Sequence, residues 1–151
     1  KCMVVTSLSL DLTNPNSQEF LRRHDDLVTC LSLSKSGNLI GSGQLGVNSN
    51  VYVWNFITRE ILLVLEEHDH MVQCLDFSHD EKLLVSVGGP EDNKLLCWDL
   101  SNGCIVGLHN KLPQGTAAVS FGGFVKDIKI IGLIRKPNNV IESQMKAKHE
   151  S

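Results

Sequence analysis

One stretch of this sequence is written twice. RHDDLVTCLSLSKSGNLIGSG at 23–43 and EHDHMVQCLDFSHDEKLLVSVG at 67–88 superpose with a constant offset. His24 falls on His68, Val28 on Val72, Cys30 on Cys74, Leu33 on Phe77, Ser42 on Ser86 and Trp54 on Trp98, each pair 44 positions apart. Such self-similarity constrains the fold before any single residue does, because units that recur must bury their apolar faces against one another. A period of about 40 to 45 residues is that of a four-stranded propeller blade.

Each copy reads as four short strands. In the second, MVQCLDFS (71–78) alternates, HDEK turns, LLVSVG (83–88) is a buried run, GPEDN turns and KLLCWDL (94–100) is a third strand. SNG then leads into CIVGL (104–108), and the first copy matches with VTCLSLS, LIGSG, VYVWNF and EILLVL. Extending the frame backwards puts Leu10 at the Trp position, so the chain opens with the last two strands of an earlier blade. Extended forwards, the frame places Phe121 on Phe77, but Leu112 at the His position and Glu142 at the Trp position, so the pattern fades.

The expected architecture is therefore all-β, a partial propeller of two complete four-stranded blades plus flanking partial blades. Residues 1–21 end a preceding blade, 22–65 and 66–108 are complete blades, 109–134 start a degraded third, and 135–151 form a polar, basic, flexible tail. Lys1 in place of an initiator Met points to a fragment.

The stretch EEHDHMVQC (66–74) invites a metal reading, since imidazole, carboxylate and thiolate are the usual zinc ligands. The repeat argues against it. His68 recurs as His24, whereas Asp26 stands opposite His70, and alternation carries Cys74 along a strand away from the turn that holds the histidines. Neither a metal nor another cofactor is expected. Five cysteines without a CxxC lie mostly in strand-like apolar runs, where reduced Cys acts as a small buried hydrophobe and favours a reducing compartment. The longest apolar runs, ILLVL (61–65) and IIGLI (130–134), are far too short to cross a membrane. Residues 1–121 carry 14 acidic against 8 basic residues and 122–151 carry 3 against 6, an acidic body that disfavours nucleic acid.

The string His68, Val72, Phe77-Ser78, Ser86, Asp92, Trp98-Asp99 resembles the WD40 repeat, and the resemblance covers about residues 20–108. It implies a structural hydrogen-bonded set in each blade: His68, Ser86, Asp92 and Trp98 in the second, His24, Ser42, Asn48 and Trp54 in the first. A buried indole N–H needs an acceptor, a Ser hydroxyl can accept and pass a proton on, and a carboxylate fixes the imidazole tautomer. Asn48 brings no charge, so the first set is expected to be the weaker. Ser, His and Asp together also mimic a hydrolytic triad. They recur once per blade, however, with the Ser directed at an indole, and no catalytic residue is expected.

A narrower resemblance lies in SGNLIGSGQ (36–44) and LLVSVGGPEDN (83–93), which are similar to the first propeller of the WD-repeat cilia- and flagella-associated proteins at the inner junction of axonemal doublet microtubules. The resemblance implies a non-enzymatic scaffold of the ciliary or flagellar axoneme, a microtubule inner protein whose partners are tubulin and neighbouring axonemal proteins. No nucleic acid, membrane or small-molecule substrate is expected. Echinoderm-microtubule-associated-like propellers also carry a GQ after the second strand, which leaves a different microtubule binder as an alternative. Ubiquitin-ligase substrate receptors are a further one, although the Arg of their Trp-Asp-x-Arg is missing from WNFI (54–57) and WDLS (98–101). Candidate contact residues are the turns of one rim: Asp25, Asp26, Gln44, Asn48, Asp69, His70, Pro90 and Glu91.

Overall fold

The computed structural model describes the backbone of residues 6–10, 18–112, 116–122, 129–136 and 139–146, with side chains over 20–112 and 118–121. Within them every regular element is a strand. β1 (Thr6–Leu10) and β2 (Gln18–Leu21) form a two-stranded sheet. β3 (Val28–Leu33), β4 (Leu39–Gln44), β5 (Ser49–Asn55) and β6 (Ile61–His68) form one four-stranded antiparallel sheet in chain order. β7 (Val72–Phe77), β8 (Leu83–Gly88), β9 (Lys94–Asp99) and β10 (Ile105–Asn110) form a second, and β11 (Thr116–Gly122), β12 (Lys129–Lys136) and β13 (Asn139–Lys146) a third of three strands.

Period-two alternation decides which face of each strand meets which neighbour. On β5, Val51 and Val53 pack towards β7 with Leu75, Phe77 and Trp98, while Tyr52 and Trp54 pack with Leu21 and Ile40 on the other side. On β9 the same division holds: Leu96 and Trp98 face the first complete sheet, and Leu95 joins Val85, Val87 and Val119. Each sheet is thus apolar on both faces, and its neighbours along the chain cover them. These are propeller blades, two of them complete and flanked by partial ones.

The repeat is visible in an irregularity as well. The ladder slips between Val28 and Cys30, between Val72 and Cys74, and between Thr116 and Ala118, at positions 44 apart each time. A bulge of this kind twists the strand locally, and here it recurs at the start of every inner strand.

The end of the chain departs from expectation. Residues 139–146, expected within a flexible tail, pair antiparallel with β12, so the third sheet runs well beyond residue 134. The sequence there carries the adjacent β-branched pair Val140 and Ile141 against a polar background, and the Pro-Asn before it has the residue types of a turn. Register also relocates the equivalents. Gly132 sits opposite Val119 as Ser42 sits opposite Leu31 and Ser86 opposite Leu75. Met145 sits opposite Ile130 as Trp54 does opposite Ile40 and Trp98 opposite Leu84. The constant offset pointed to Glu142 instead; the pairing register of β11 with β12 and of β12 with β13 moves the position three residues along the chain. A Gly at the Ser position supplies no hydroxyl, so the polar set of the other blades has no counterpart there.

Candidate functional site

Two buried polar chains run through the complete blades. In the second, Trp98 Nε1 donates to Ser86 Oγ at 2.8 Å, Ser86 lies 2.7 Å from His68 Nε2, and His68 Nδ1 meets Asp92 Oδ2. Asp92 Oδ1 accepts from the backbone N–H of Asp69 at 3.1 Å. Burial pushes the His68 imidazole below its ordinary pKa, against the pull of Asp92, so the ring is neutral, with Nδ1–H donating and Nε2 accepting. With both nitrogens engaged, His68 has no lone pair to give a metal. Burial likewise raises the Cys74 thiol to about 12, which disfavours the thiolate a metal would need.

The first blade solves the same problem with different atoms. Trp54 Nε1 donates to Ser42 Oγ at 2.9 Å, and Ser42 lies 2.7 Å from His24 Nε2. The partner of His24 Nδ1 is Gln44, whose Oε1 is 2.6 Å away, and Gln44 Nε2 in turn donates to Asp25 Oδ1 at 2.8 Å. Tyr52 closes on the ring edge-on, with centroids 4.6 Å apart. This corrects two expectations. Asn48 is not the acceptor: it is exposed at φ 56° and its backbone N–H donates to the Asp69 carbonyl. Gln44, expected as an exposed contact, is 4% exposed and belongs to the buried chain. The reason is reach, since two methylenes carry the Gln amide from the end of β4 to the imidazole. One signal was available in the sequence, a Gln in one copy where the other has Gly88.

Neither serine is placed for catalysis. Ser42 and Ser86 are fully buried and each hydroxyl is held between an indole N–H and an imidazole. The arrangement fixes side chains in place; it does not present a nucleophile.

The remaining rim residues divide into two groups. Asp26, His70, Pro90 and Glu91 line one cleft between the blades, with a volume of about 470 Å³. Its walls also include Leu45, Val47 and Met71; Val47 is 78% exposed, and Leu45 and Met71 form an isolated bridge between blades. His70 Nδ1 lies 3.7 Å from Glu91 Oε2 at the mouth. Asp69 faces away from this group: its carboxylate binds Lys94 Nζ at 2.7 Å, which holds it below the usual carboxylate range. Asp25 is taken by Gln44.

A second groove, of about 570 Å³, opens between the same blades at the opposite turns, floored by Leu39, Leu63 and Leu100 and rimmed by Asp80, Lys82 and Asp99. Beside it Glu81 of one blade accepts from the backbone N–H of Ser36 at 2.6 Å and from its hydroxyl at 2.9 Å. Sequence reasoning did not single out this groove, whose lining comes from hairpin turns that look like ordinary polar turns.

Comparison with known proteins agrees with this geometry. The family described as WD domain, G-beta repeat matches residues 14–55 and 59–99. Cilia- and flagella-associated protein 52 of Chlamydomonas reinhardtii is 42% identical over 96 residues, covering 62% of this chain and 16% of that protein. Its Homo sapiens counterpart is 36% identical over 91 residues, 58% of this chain and 15% of that protein. WD repeat-containing protein 90 of Xenopus tropicalis is 35% identical over 86 residues, 56% of this chain and 5% of that protein. Among solved structures, the crystal structure of the Myceliophteria thermophila Cps50 (Swd1) beta-propeller domain superposes with TM-score 0.64 at 16% identity, over 83% of this chain and 39% of that one. That likeness concerns the fold alone. The chain spans only a small part of the length of the curated relatives it matches.

Proposed function

Since the chain belongs to the WD domain, G-beta repeat family, we propose that it is a non-enzymatic scaffold of the cilium or flagellum, a structural component of axonemal doublet microtubules that contacts tubulin and neighbouring axonemal proteins. The observation that carries this reading is the 42% identity to cilia- and flagella-associated protein 52. The buried serines support the non-enzymatic half, because propellers act through sites carried on a rigid disc and here the polar chains are spent on holding that disc together.

The cleft of Asp26, His70 and Glu91 is the contact surface this reading assigns. An apolar floor of Leu45, Val47 and Met71 under two carboxylates suits a protein segment that presents an apolar side chain beside a Lys or Arg. The test is a tagged chain expressed in ciliated cells, followed through detergent extraction and chemical cross-linking. Retention in the axonemal fraction with cross-links to tubulin is expected, and Val47→Glu together with Glu91→Lys is expected to abolish retention while leaving expression unchanged. A chain found only in the detergent-soluble fraction overturns the proposal.

A further inference from the structure

The groove floored by Leu39, Leu63 and Leu100 has both of its walls in complete blades, so every side chain that lines it sits in a finished sheet. Its floor is the outer margin of the core. Leu39, Leu63 and Leu100 are partly buried and pack against the cluster that holds Val53 and Trp98. Leu62, also on the lining, is 49% exposed. The next seam has no leucine at the place of Leu63, because Gly107 pairs with Cys97 there as Leu63 pairs with Val53. The apolar groove is therefore a property of this seam and not of the repeat.

The charge on its rim is more than the turns require. Asp99 Oδ1 accepts from the backbone N–H of Ser101 at 2.8 Å, and Asp80 Oδ1 accepts from the Ser78 hydroxyl at 2.7 Å and from the backbone N–H of Lys82 at 3.3 Å. At the matching positions of the first blade, 44 earlier, Asn55 Oδ1 accepts from the backbone N–H of Ile57 at 2.8 Å and Ser36 Oγ from that of Asn38 at 3.2 Å. Neutral residues thus close the same turns. Hydrogen bonds from Ser78 to Asp80 and from Ser101 to Asp99 hold both carboxyls below the usual range, so both are anionic at neutral pH. Asp80, Glu81 and Asp99 against Lys82 leave the rim acidic, and of the three carboxylates Glu81 is already bound to Ser36.

We infer that this groove is a second docking site, separate from the cleft of His70 and Glu91. Its occupant is a short segment of a partner protein that inserts one apolar side chain between Leu63 and Leu100 and sets a neighbouring Lys or Arg beside Asp80 or Asp99. Burial on the leucines supplies affinity, while the carboxylates select the basic neighbour and repel an acidic segment. Because the two sites open at opposite turns of one seam, a single chain holds two partner segments at once.

The probes are short random peptides displayed on phage, first depleted on the Asp80→Ser, Asp99→Asn variant and then selected on the unaltered 151-residue chain. That variant carries the residues of the first blade, Ser36 and Asn55, and is expected to keep the melting temperature of the unaltered chain. Selected peptides, synthesised with a fluorescein label and titrated by anisotropy, should share an apolar residue beside a Lys or Arg. They should bind the variant about tenfold more weakly and lose affinity as salt is raised. Leu62→Ser should also weaken binding, through lost apolar contact. Glu66→Gln with Glu67→Gln removes the same charge from exposed positions at the far end of β6 and should leave binding unchanged. Failure to enrich any peptide, enriched sequences without a basic residue, or equal binding by the unaltered chain and the variant overturns the inference. So does a dimer of the unaltered chain that the variant abolishes, since the groove then belongs to a second copy. None of these measurements involves ciliary retention, so the axonemal proposal stands or falls separately.

Discussion

Gln44 and Gly88 hold the same place in successive blades, and the side chain present at one fills the space that its absence leaves at the other. Gln44 reaches His24 from the end of β4. At Gly88 a Cβ would lie 1.9 Å from Asp92 Oδ2, so the carboxylate reaches His68 only because β8 ends without a side chain. Two solutions to one problem, an acceptor for a buried imidazole N–H, therefore exclude each other at the same position.

Exchange of the two solutions is the first prediction. Gly88→Gln alone should destabilise the chain by about 2 kcal/mol, the usual scale of overpacking. Combined with Asp92→Gly it should recover most of that loss, because the side chain that crowds position 88 is gone and the new Gln takes over the acceptor role. A double-mutant cycle by denaturant titration reads the coupling, and additive losses would sink the idea.

The second prediction compares acceptors. Asp92→Ala should cost about 3 kcal/mol, because it leaves a buried imidazole N–H without its charged partner. Gln44→Ala should cost about 1 kcal/mol, the worth of an ordinary neutral hydrogen bond. Asn48→Gly should be near neutral, since its backbone is already left-handed and its side chain stands in solvent. Equal losses at positions 92 and 44 in chemical denaturation would contradict the charge argument.

Much of this was legible beforehand, and the boundary has a physical cause. A constant offset reports where strands start as long as turns keep their length, so spacing matched His24, Ser42 and Trp54 to His68, Ser86 and Trp98, and the WD40 resemblance implied that each trio is hydrogen-bonded. It fails where the pairing register shifts, and that is why Met145 rather than Glu142 stands at the third Trp position. It also fails where one residue does another's job from a different place, as Gln44 does for Asn48, because hydrogen bonding depends on reach and not on alignment. The rim cleft was foreshadowed by its turns, Asp26, His70, Pro90 and Glu91, but the groove of Leu39, Leu63 and Leu100 was not, because its walls come from two blades and no single repeat contains it.

A third prediction concerns pH. Burial lowers the pKa of both His24 and His68 below the ordinary value of 6.5. The unfolded chain therefore binds more protons than the folded one below that value, so the stability these residues contribute is complete above pH 6.5 and declines as pH falls through it. The melting temperature should drop between pH 7.5 and pH 5.5, ahead of any loss from Asp69, Asp80, Glu81 and Asp99, whose lowered pKa values place their effect in more acid conditions. A flat profile across that interval would argue against neutral buried imidazoles.

The thiols give the fourth. Burial raises Cys30 and Cys97 to about 11 and Cys74 to about 12, whereas Cys104 is exposed between β9 and β10. Of these four, Cys104 should be alkylated first by iodoacetamide at pH 8, with the strand cysteines modified only on unfolding. Peptide mapping by mass spectrometry checks the order, and early loss of Cys74 would count against the packing described.

Between the two complete blades, contacts near the inner strands are made by Cys30 and by glycines at 41 and 43, while further out the space is filled by Val51, Val53, Leu63 and Leu65. The glycines lie against large partners, Phe77 and Leu75 opposite Gly41 and Val72 opposite Gly43, so the two sheets come closest where one of them carries no side chain. That close approach sets the spacing of the two complete blades at their inner strands, and a side chain at either glycine would push them apart. In this sense the fit of one repeat against the next is written locally, in the absence of a side chain at residues 41 and 43.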